Sequence, residues 1–239
     1  MRNLFNPDAP IIQAMSKFSW MMWYSCLWLV CSIPIFTIGA ASAAMYRMAY
    51  MLQIYDGGAL DMAVLGFAET DGRGNVNAHS FNGRSGGPGG CIDITQNAKK
   101  LCFIGTFTAG KQEVVITEEG VDIQVQGPQK KFLEQVGAIT FSGREAIRKG
   151  QEVLYITERA VFRLEKEGLT LIEIAKGADL QKDILDQMDF VPIIPDDLRL
   201  MDHRLFLDQP MGVDPKAESK DQPEYEFWRD LLPNAEKEN

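Results

Sequence analysis

Hydrophobic and polar positions divide this chain into three unlike stretches. From Phe18 to Tyr46 no charged side chain occurs, and Lys17 and Arg47 bracket the run. That length exceeds the roughly 20 residues a helix needs to span a bilayer. Trp20, Trp23, Tyr24 and Trp28 gather toward one end, where amphipathic rings favour an interface. Pro34 kinks or breaks any helix through the run, and Gly39 with Ala40-Ala41-Ser42-Ala43-Ala44 permits close packing against another helix. The pattern predicts a membrane helix or helical hairpin over 18–46. Two other readings stand beside it. Ala41-Ser42-Ala43 fits a signal-peptide cleavage site, and a helix buried all round in a soluble fold would also lack a polar face.

The middle stretch changes period. Ala63–Phe67 and Leu101–Phe107 are short apolar runs bounded by turn residues, the mark of strands buried on both faces. Val114–Ile116 and Val121–Val125 flank Glu118-Glu119-Gly120, and Val161–Leu164 and Leu169–Ile174 flank Glu165-Lys166-Glu167-Gly168. Both read as hairpins with period-two alternation. A further strand is expected over Glu152–Arg159. Phe132–Phe141 reads as a short amphipathic element leading into a strand. Leu180–Met188 is expected to be a helix with Asp179 as its N-cap, and Ile193-Ile194-Pro195 ends the compact unit. From about Asp208 the chain is polar, acidic and broken by prolines, which suits a mostly flexible tail. Tyr225, Phe227 and Trp228 are the exception, as a segment that can dock on the domain. The expected organisation is therefore a hydrophobic segment at 1–53, an α/β domain at 54–207 and a tail at 208–239.

Composition narrows the functional classes. Among 239 residues, 46% are hydrophobic and 21 are glycine, and the net charge is −9. An acidic chain is a poor non-specific binder of nucleic acid, whose affinity rests on Lys and Arg contacts to phosphate. Cys26, Cys31, Cys91 and Cys102 form no CxxC pair, and His79 and His203 are the only histidines. No metal site is expected from these spacings. Four reduced thiols in a cytosolic fold is the plain reading.

Two segments carry chemistry. Gly86-Gly87-Pro88-Gly89-Gly90 lacks Cβ atoms and can adopt positive φ, so its backbone N–H groups can approach a ligand or cradle an anion. A flexible loop is the alternative. Lys99 and Lys100 precede the strand that starts at Leu101, where a basic group at a cleft mouth can meet phosphates. A solvated pair is the alternative there. Thr106, Thr108 and Gly110 lie at the end of that strand, where open α/β sheets bind ligands. Asp61, Asn75 and Asn77 suit caps and Asx turns. Glu69 in AETDGRGN reads as a loop glutamate rather than a nucleophile.

Taken together, YDGGALDMAVLGFAETDGRGNVN from Tyr55, SGGPGGCIDITQNAKK, LCFIGTFTAG, GQEVLYITERAVFRL (Gly150–Leu164) and DILDQMDFVPII (Asp183–Ile194) resemble the second catalytic half of family I coenzyme A transferases of the acetate/3-ketoacid and propionate type. The resemblance runs from Tyr55 to about Phe206. It implies an incomplete open α/β CoA-transferase half-domain behind the hydrophobic segment. It implies transfer of CoA between an acyl-CoA and a short-chain carboxylate or 3-oxoacid, with CoA as substrate and no permanently bound cofactor. In that family a glutamate upstream of YDGG attacks the acyl-CoA and passes through an anhydride to a glutamyl-CoA thioester.

Upstream of Tyr55 stands the apolar run instead. No catalytic residue is therefore expected in this chain, and a chain inactive alone, with a complementary half or a homo-oligomer as partner, is the resulting expectation. The same resemblance assigns Gly86, Gly87, Gly89 and Gly90 to CoA binding, with Cys91 where the family carries Phe and Ala59 where it carries a third glycine, and Lys100 at the strand start is expected to meet the CoA phosphates.

LFNPDAP (Leu4–Pro10) with SIPIFTIGAASAAMYRM (Ser32–Met48) resembles the N-terminus of YesL-like bacterial membrane proteins, with the join near Leu52–Tyr55. That resemblance implies membrane association with the α/β domain cytoplasmic. The alternatives are a wholly cytoplasmic protein, a non-catalytic membrane-tethered remnant or acyl-CoA binder, and a fusion product.

Overall fold

A computed structural model describes residues 47–209 other than 82, 83 and 119. The expected membrane segment at 18–46 and the tail beyond 209 lie outside the described residues. Among the described residues, no helix is long and apolar enough to cross a membrane.

Helix α1 (Met48–Asp56) leads to strand β1 (Met62–Gly66). Four short strands follow, β2 (Glu69–Asp71), β3 (Val76–Asn77), β4 (Ser80–Phe81) and β5 (Arg84–Ser85), and then helix α2 (Cys91–Asn97) and β6 (Lys100–Ile104). Next come β7 (Thr108–Ala109), β8 (Glu113–Thr117), β9 (Gly120–Val125), β10 (Gln129–Lys130) and β11 (Phe132–Leu133). Helix α3 (Gly143–Lys149) precedes β12 (Glu152–Ile156), β13 (Ala160–Glu165), β14 (Gly168–Ile174) and β15 (Arg199–Leu200).

Six of these strands form one mixed sheet in the order β1-β6-β12-β13-β14-β15. The first three run parallel, with Met62, Lys100 and Glu152 in one register row. A parallel strand is covered on both faces, which is why β6 reads as an apolar run from Leu101: Leu101, Cys102 and Phe103 are all buried, and so is Lys100 before them. From β12 the sheet turns antiparallel through β13 and β14. All seven residues of β14 are buried.

The two hairpins expected from period-two alternation are present, β8–β9 and β13–β14. Each second strand opens on a glycine at positive φ, Gly120 at 146° and Gly168 at 141°. Two other expectations hold only in part. Phe132–Phe141 holds only the two residues of β11; Phe132 reaches the core from that strand, Val136 and Phe141 reach it from outside any named strand, and Phe141 bridges Val76. Leu180–Met188 is helical as expected, but as a π-helix at Leu180–Ile184 followed by a 3-10 helix at Leu185–Gln187 rather than an α-helix. The wider turn accommodates the buried Asp183 carboxylate, which accepts from Gln126 Nε2 at 2.8 Å and from the Asp179 N–H at 2.9 Å. Asp179 does cap it, accepting from the Lys182 N–H at 2.7 Å.

The periodicity did not announce α3, although its ends are well marked. Ser142 Oγ accepts from the Glu145 N–H, Gly150 closes the helix at φ 72°, and Arg148 and Lys149 sit in its last turn. Between the sheet and these helices lies an aromatic core. Phe107 stacks on Phe132 at 4.6 Å between centroids, Phe103 on Tyr155 at 5.4 Å, and Phe67 meets Phe132 edge-on at 5.9 Å.

Candidate active site

The glycine loop stands immediately before α2. Gly87 and Gly89 have φ of 78° and 55°, a region that side-chain-bearing residues avoid. A Cβ at either would meet nothing within 4 Å, so the loop opens onto free space. Gly90 is the N-cap residue of α2 and packs on α1, where a Cβ would come within 3.3 Å of Leu52 Cδ2. The Gly86 N–H donates to the His79 carbonyl at 2.8 Å, and His79 Nδ1 lies 2.5 Å from Thr140 Oγ1. Helix α2 returns the chain to the start of β6, so the loop before it lies toward the C-terminal ends of the parallel strands. Those ends are where open α/β sheets receive ligands.

Lys100 occupies the opposite end. It begins β6, about 10 Å from Gly90 by the length of the seven-residue helix between them. Its side chain is buried, with Nζ 3.6 Å from Glu152 Oε1. Lys99 is the exposed member of the pair, bonded to Asp61 at 2.7 Å. The structure therefore groups Gly86, Gly87, Gly89 and Gly90 and sets Lys100 apart from them.

The polar turns resolve into support for the sheet. Asn77 Oδ1 accepts from the His79 and Ser80 N–H groups, as an Asx turn requires. Asn75 Oδ1 accepts from the Gly143 N–H at 3.1 Å. Glu69 is a strand residue rather than a loop one, and its Oε2 accepts from Asn77 Nδ2 at 2.7 Å and the Gly137 N–H at 3.1 Å. Both partners hold it as a structural acceptor.

Sequence reasoning missed a charged cluster at the C-terminal ends of β6 and β12. Glu158 accepts from the Phe107 N–H at 2.8 Å through Oε2 and from Arg159 Nε at 2.8 Å through Oε1. Arg159 is fully buried. Its Nη1 donates to Gln126 Oε1 at 2.6 Å, and its guanidinium lies 5.2 Å from the Phe107 ring centroid. Lys131 donates to the Thr106 carbonyl at 2.7 Å and sits 4.0 Å from the Phe67 ring centroid. Burial brings the Lys131 ammonium down to about 8, and the nearby Glu158 carboxylate opposes that shift. In the sequence, nothing local marks Lys130-Lys131, and Glu158-Arg159 reads as the end of a strand. Thr106 and Thr108, singled out earlier, do lie here. Thr106 Oγ1 donates to the Thr108 carbonyl at 2.7 Å, and Thr108 Oγ1 accepts from the Gly127 N–H at 3.0 Å.

A sheet of this order, with a glycine loop and a charged cluster toward one end of its parallel strands, is the fold of part of a CoA-transferase, and the chain is homologous to enzymes of that class. The acetate CoA-transferase YdiF of Escherichia coli K12 is 52% identical over 169 residues, which are 71% of this chain and 32% of YdiF. The caffeate CoA-transferase of Acetobacterium woodii is 47% identical over 188 residues, 77% of this chain and 36% of that enzyme. The crystal structure of YdiF from Escherichia coli O157:H7 superimposes with a TM-score of 0.71 at 50% identity, covering 73% of this chain and 34% of that one. YdiF is also known as a thioester complex with CoA. At 15% identity and a TM-score of 0.51, the glutaconate CoA-transferase of Acidaminococcus fermentans shares the fold alone. The chain thus spans about a third of the length of these curated relatives. No family model matches the sequence.

Proposed function

We propose that this chain supplies the sheet and the CoA-facing glycine loop of a family I CoA-transferase that moves CoA between an acyl-CoA and a short carboxylate. The observation that carries this reading is the 52% identity to an acetate CoA-transferase, sustained over 71% of the chain and accompanied by the same fold. The open loop at Gly86–Gly90 supports CoA binding. Its exposed backbone at positive φ suits close approach of a ligand. Lys100 enters the same reading only as a charge at the far end of α2, where Glu152 already faces it.

Glu158 holds the Phe107 N–H and Arg159 through its two oxygens, which gives it a supporting role in this reading. The family resemblance places the nucleophilic glutamate upstream of Tyr55, and a partner polypeptide carrying the rest of the enzyme is its proposed source here.

The test mixes the full chain with a polypeptide carrying the remaining part of an acetate CoA-transferase. Acetyl-CoA and propionate are supplied, and propionyl-CoA is measured. Transfer by the mixture and not by either chain alone is expected, with borohydride trapping a glutamyl thioester on the partner. A mixture that neither transfers CoA nor retains it would overturn the reading.

A further inference from the structure

The peptide that joins Thr106 to Phe107 is gripped at both of its polar atoms by side chains of opposite charge. Its carbonyl accepts from Lys131 Nζ at 2.7 Å, and its N–H donates to Glu158 Oε2 at 2.8 Å. This peptide stands just past the end of β6, the middle one of the three parallel strands. It belongs to the ligand-receiving end of the sheet, on the side toward which the glycine loop lies.

The arrangement is costly for a turn that needs only to be stable. A lysine is rarely buried, and desolvating its ammonium is unfavourable. Lys131 is nonetheless 5% exposed. The sequence also makes room for it: a Cβ at Gly105 would come within 2.8 Å of Lys131 Nζ, so a glycine before the turn admits the ammonium. Arg159 fixes the other jaw by holding Glu158 Oε1, and Gln126 and the Asp183 carbonyl hold Arg159 in turn. Gly105, Thr106 and Glu158 remain half-buried at the surface of this end, so the gripped peptide lies beside an accessible rim.

We propose that Lys131 and Glu158 are positioning residues that fix the orientation of the Thr106–Phe107 peptide as a wall of the site where the reacting end of the acyl-CoA lies. The inference rests on the CoA-transferase reading. The peptide's dipole is held in one direction before substrate arrives, so it does not reorient during the reaction. Loss of either jaw leaves the fold in place and slackens this turn.

The experiment uses the transferase assembled from the full chain and its complementary polypeptide. Lys131→Met is expected to lower kcat about tenfold or more while KM for acetyl-CoA stays within about threefold, as an interaction felt in the transition state requires. Glu158→Gln, which keeps an acceptor oxygen for the Phe107 N–H, is expected to retain more activity than Glu158→Leu. Amide hydrogen exchange on the same variants is expected to quicken at Phe107 and to stay unchanged at Leu101–Phe103. An active wild-type assembly whose Lys131→Met variant has unchanged kcat would overturn the positioning role and leave the transferase reading intact. Loss of protection along all of β6 would reduce the pair to a structural prop and overturn it as well. An inactive wild-type assembly would overturn both.

Discussion

The phenolic hydroxyl of Tyr155 donates to the carbonyl of Gly74 at 2.5 Å, tying β12 to the turn between β2 and β3. That turn is wedged into the fold: Gly74 has φ 73°, and a Cβ there would lie 2.5 Å from Leu164 Cδ1 and 3.0 Å from the Tyr155 hydroxyl. Tyr155 itself is fully buried. Tyr155→Phe leaves the Gly74 carbonyl without its donor and is expected to cost about 1–3 kcal/mol. Gly74→Ala adds a collision and backbone strain and is expected to cost more, about 2–4 kcal/mol. Urea unfolding of the two variants and the wild type measures both, and a Gly74→Ala protein as stable as wild type would contradict the close packing.

Two glycines bordering α3 give opposite expectations. Gly143 has no unusual φ, yet a Cβ there would come within 2.1 Å of the Arg73 carbonyl oxygen. Gly150 has φ 72° but nothing within 4 Å. Gly143→Ala is expected to lose several times as much stability as Gly150→Ala, whose cost is about 1 kcal/mol of left-handed strain. Thermal unfolding of the pair settles the order, and equal losses would show that the Arg73 carbonyl moves aside.

The loop and Lys100 separate by readout. Gly87→Ala and Gly89→Ala meet no atoms but must hold positive φ, so they are expected to weaken acetyl-CoA binding about tenfold while lowering Tm by only a few degrees. Lys100→Met removes a buried ammonium from Glu152 and is expected to change Tm with little change in affinity. Titration calorimetry on the assembled enzyme makes the comparison. A large affinity loss in Lys100→Met would restore the lysine to the CoA site.

Lys131 makes stability depend on pH in a direction opposite to that of most lysine pairs. Its folded-state value near 8 lies below the unfolded value near 10.5. Between these values the unfolded chain holds more protons than the folded one, so stability rises with pH over about 8 to 10.5. Above about 10 the buried Tyr155 opposes this rise. Burial and the nearby Asp71 carboxylate hold its phenol protonated in the folded state well above the usual range. The Tm of wild type relative to Lys131→Met is therefore expected to be higher at pH 9.5 than at pH 7.5. A difference independent of pH would show that Lys131 titrates like an exposed lysine.

What the sequence disclosed depended on how far apart the interacting residues lie. The hairpins β8–β9 and β13–β14 were legible because alternation and a turn glycine sit within a few residues of each other. The glycine loop was visible as composition. The Lys131–Glu158 grip was not, because it exists only once β6 and β12 are set side by side in parallel register. Asp183 misled for a related reason: its carboxylate serves Gln126, a residue of another loop, and the backbone widens into a turn that helical periodicity does not foresee. Lys100 and Lys131 each follow another lysine, yet both are buried, which no local pattern reveals.

The parallel register of β1, β6 and β12 has a bearing on how the chain is made. Each pairing joins segments that are far apart in the chain, and such non-local contacts form slowly. During synthesis, β6 can pair on one edge with β1, already made, but its other edge, along Leu101, Cys102 and Phe103, stays open until β12 is complete at residue 156. Phe107 waits longer still for Phe162. For that interval the nascent chain carries the kind of exposed apolar strand that chaperones shield and that otherwise seeds aggregation.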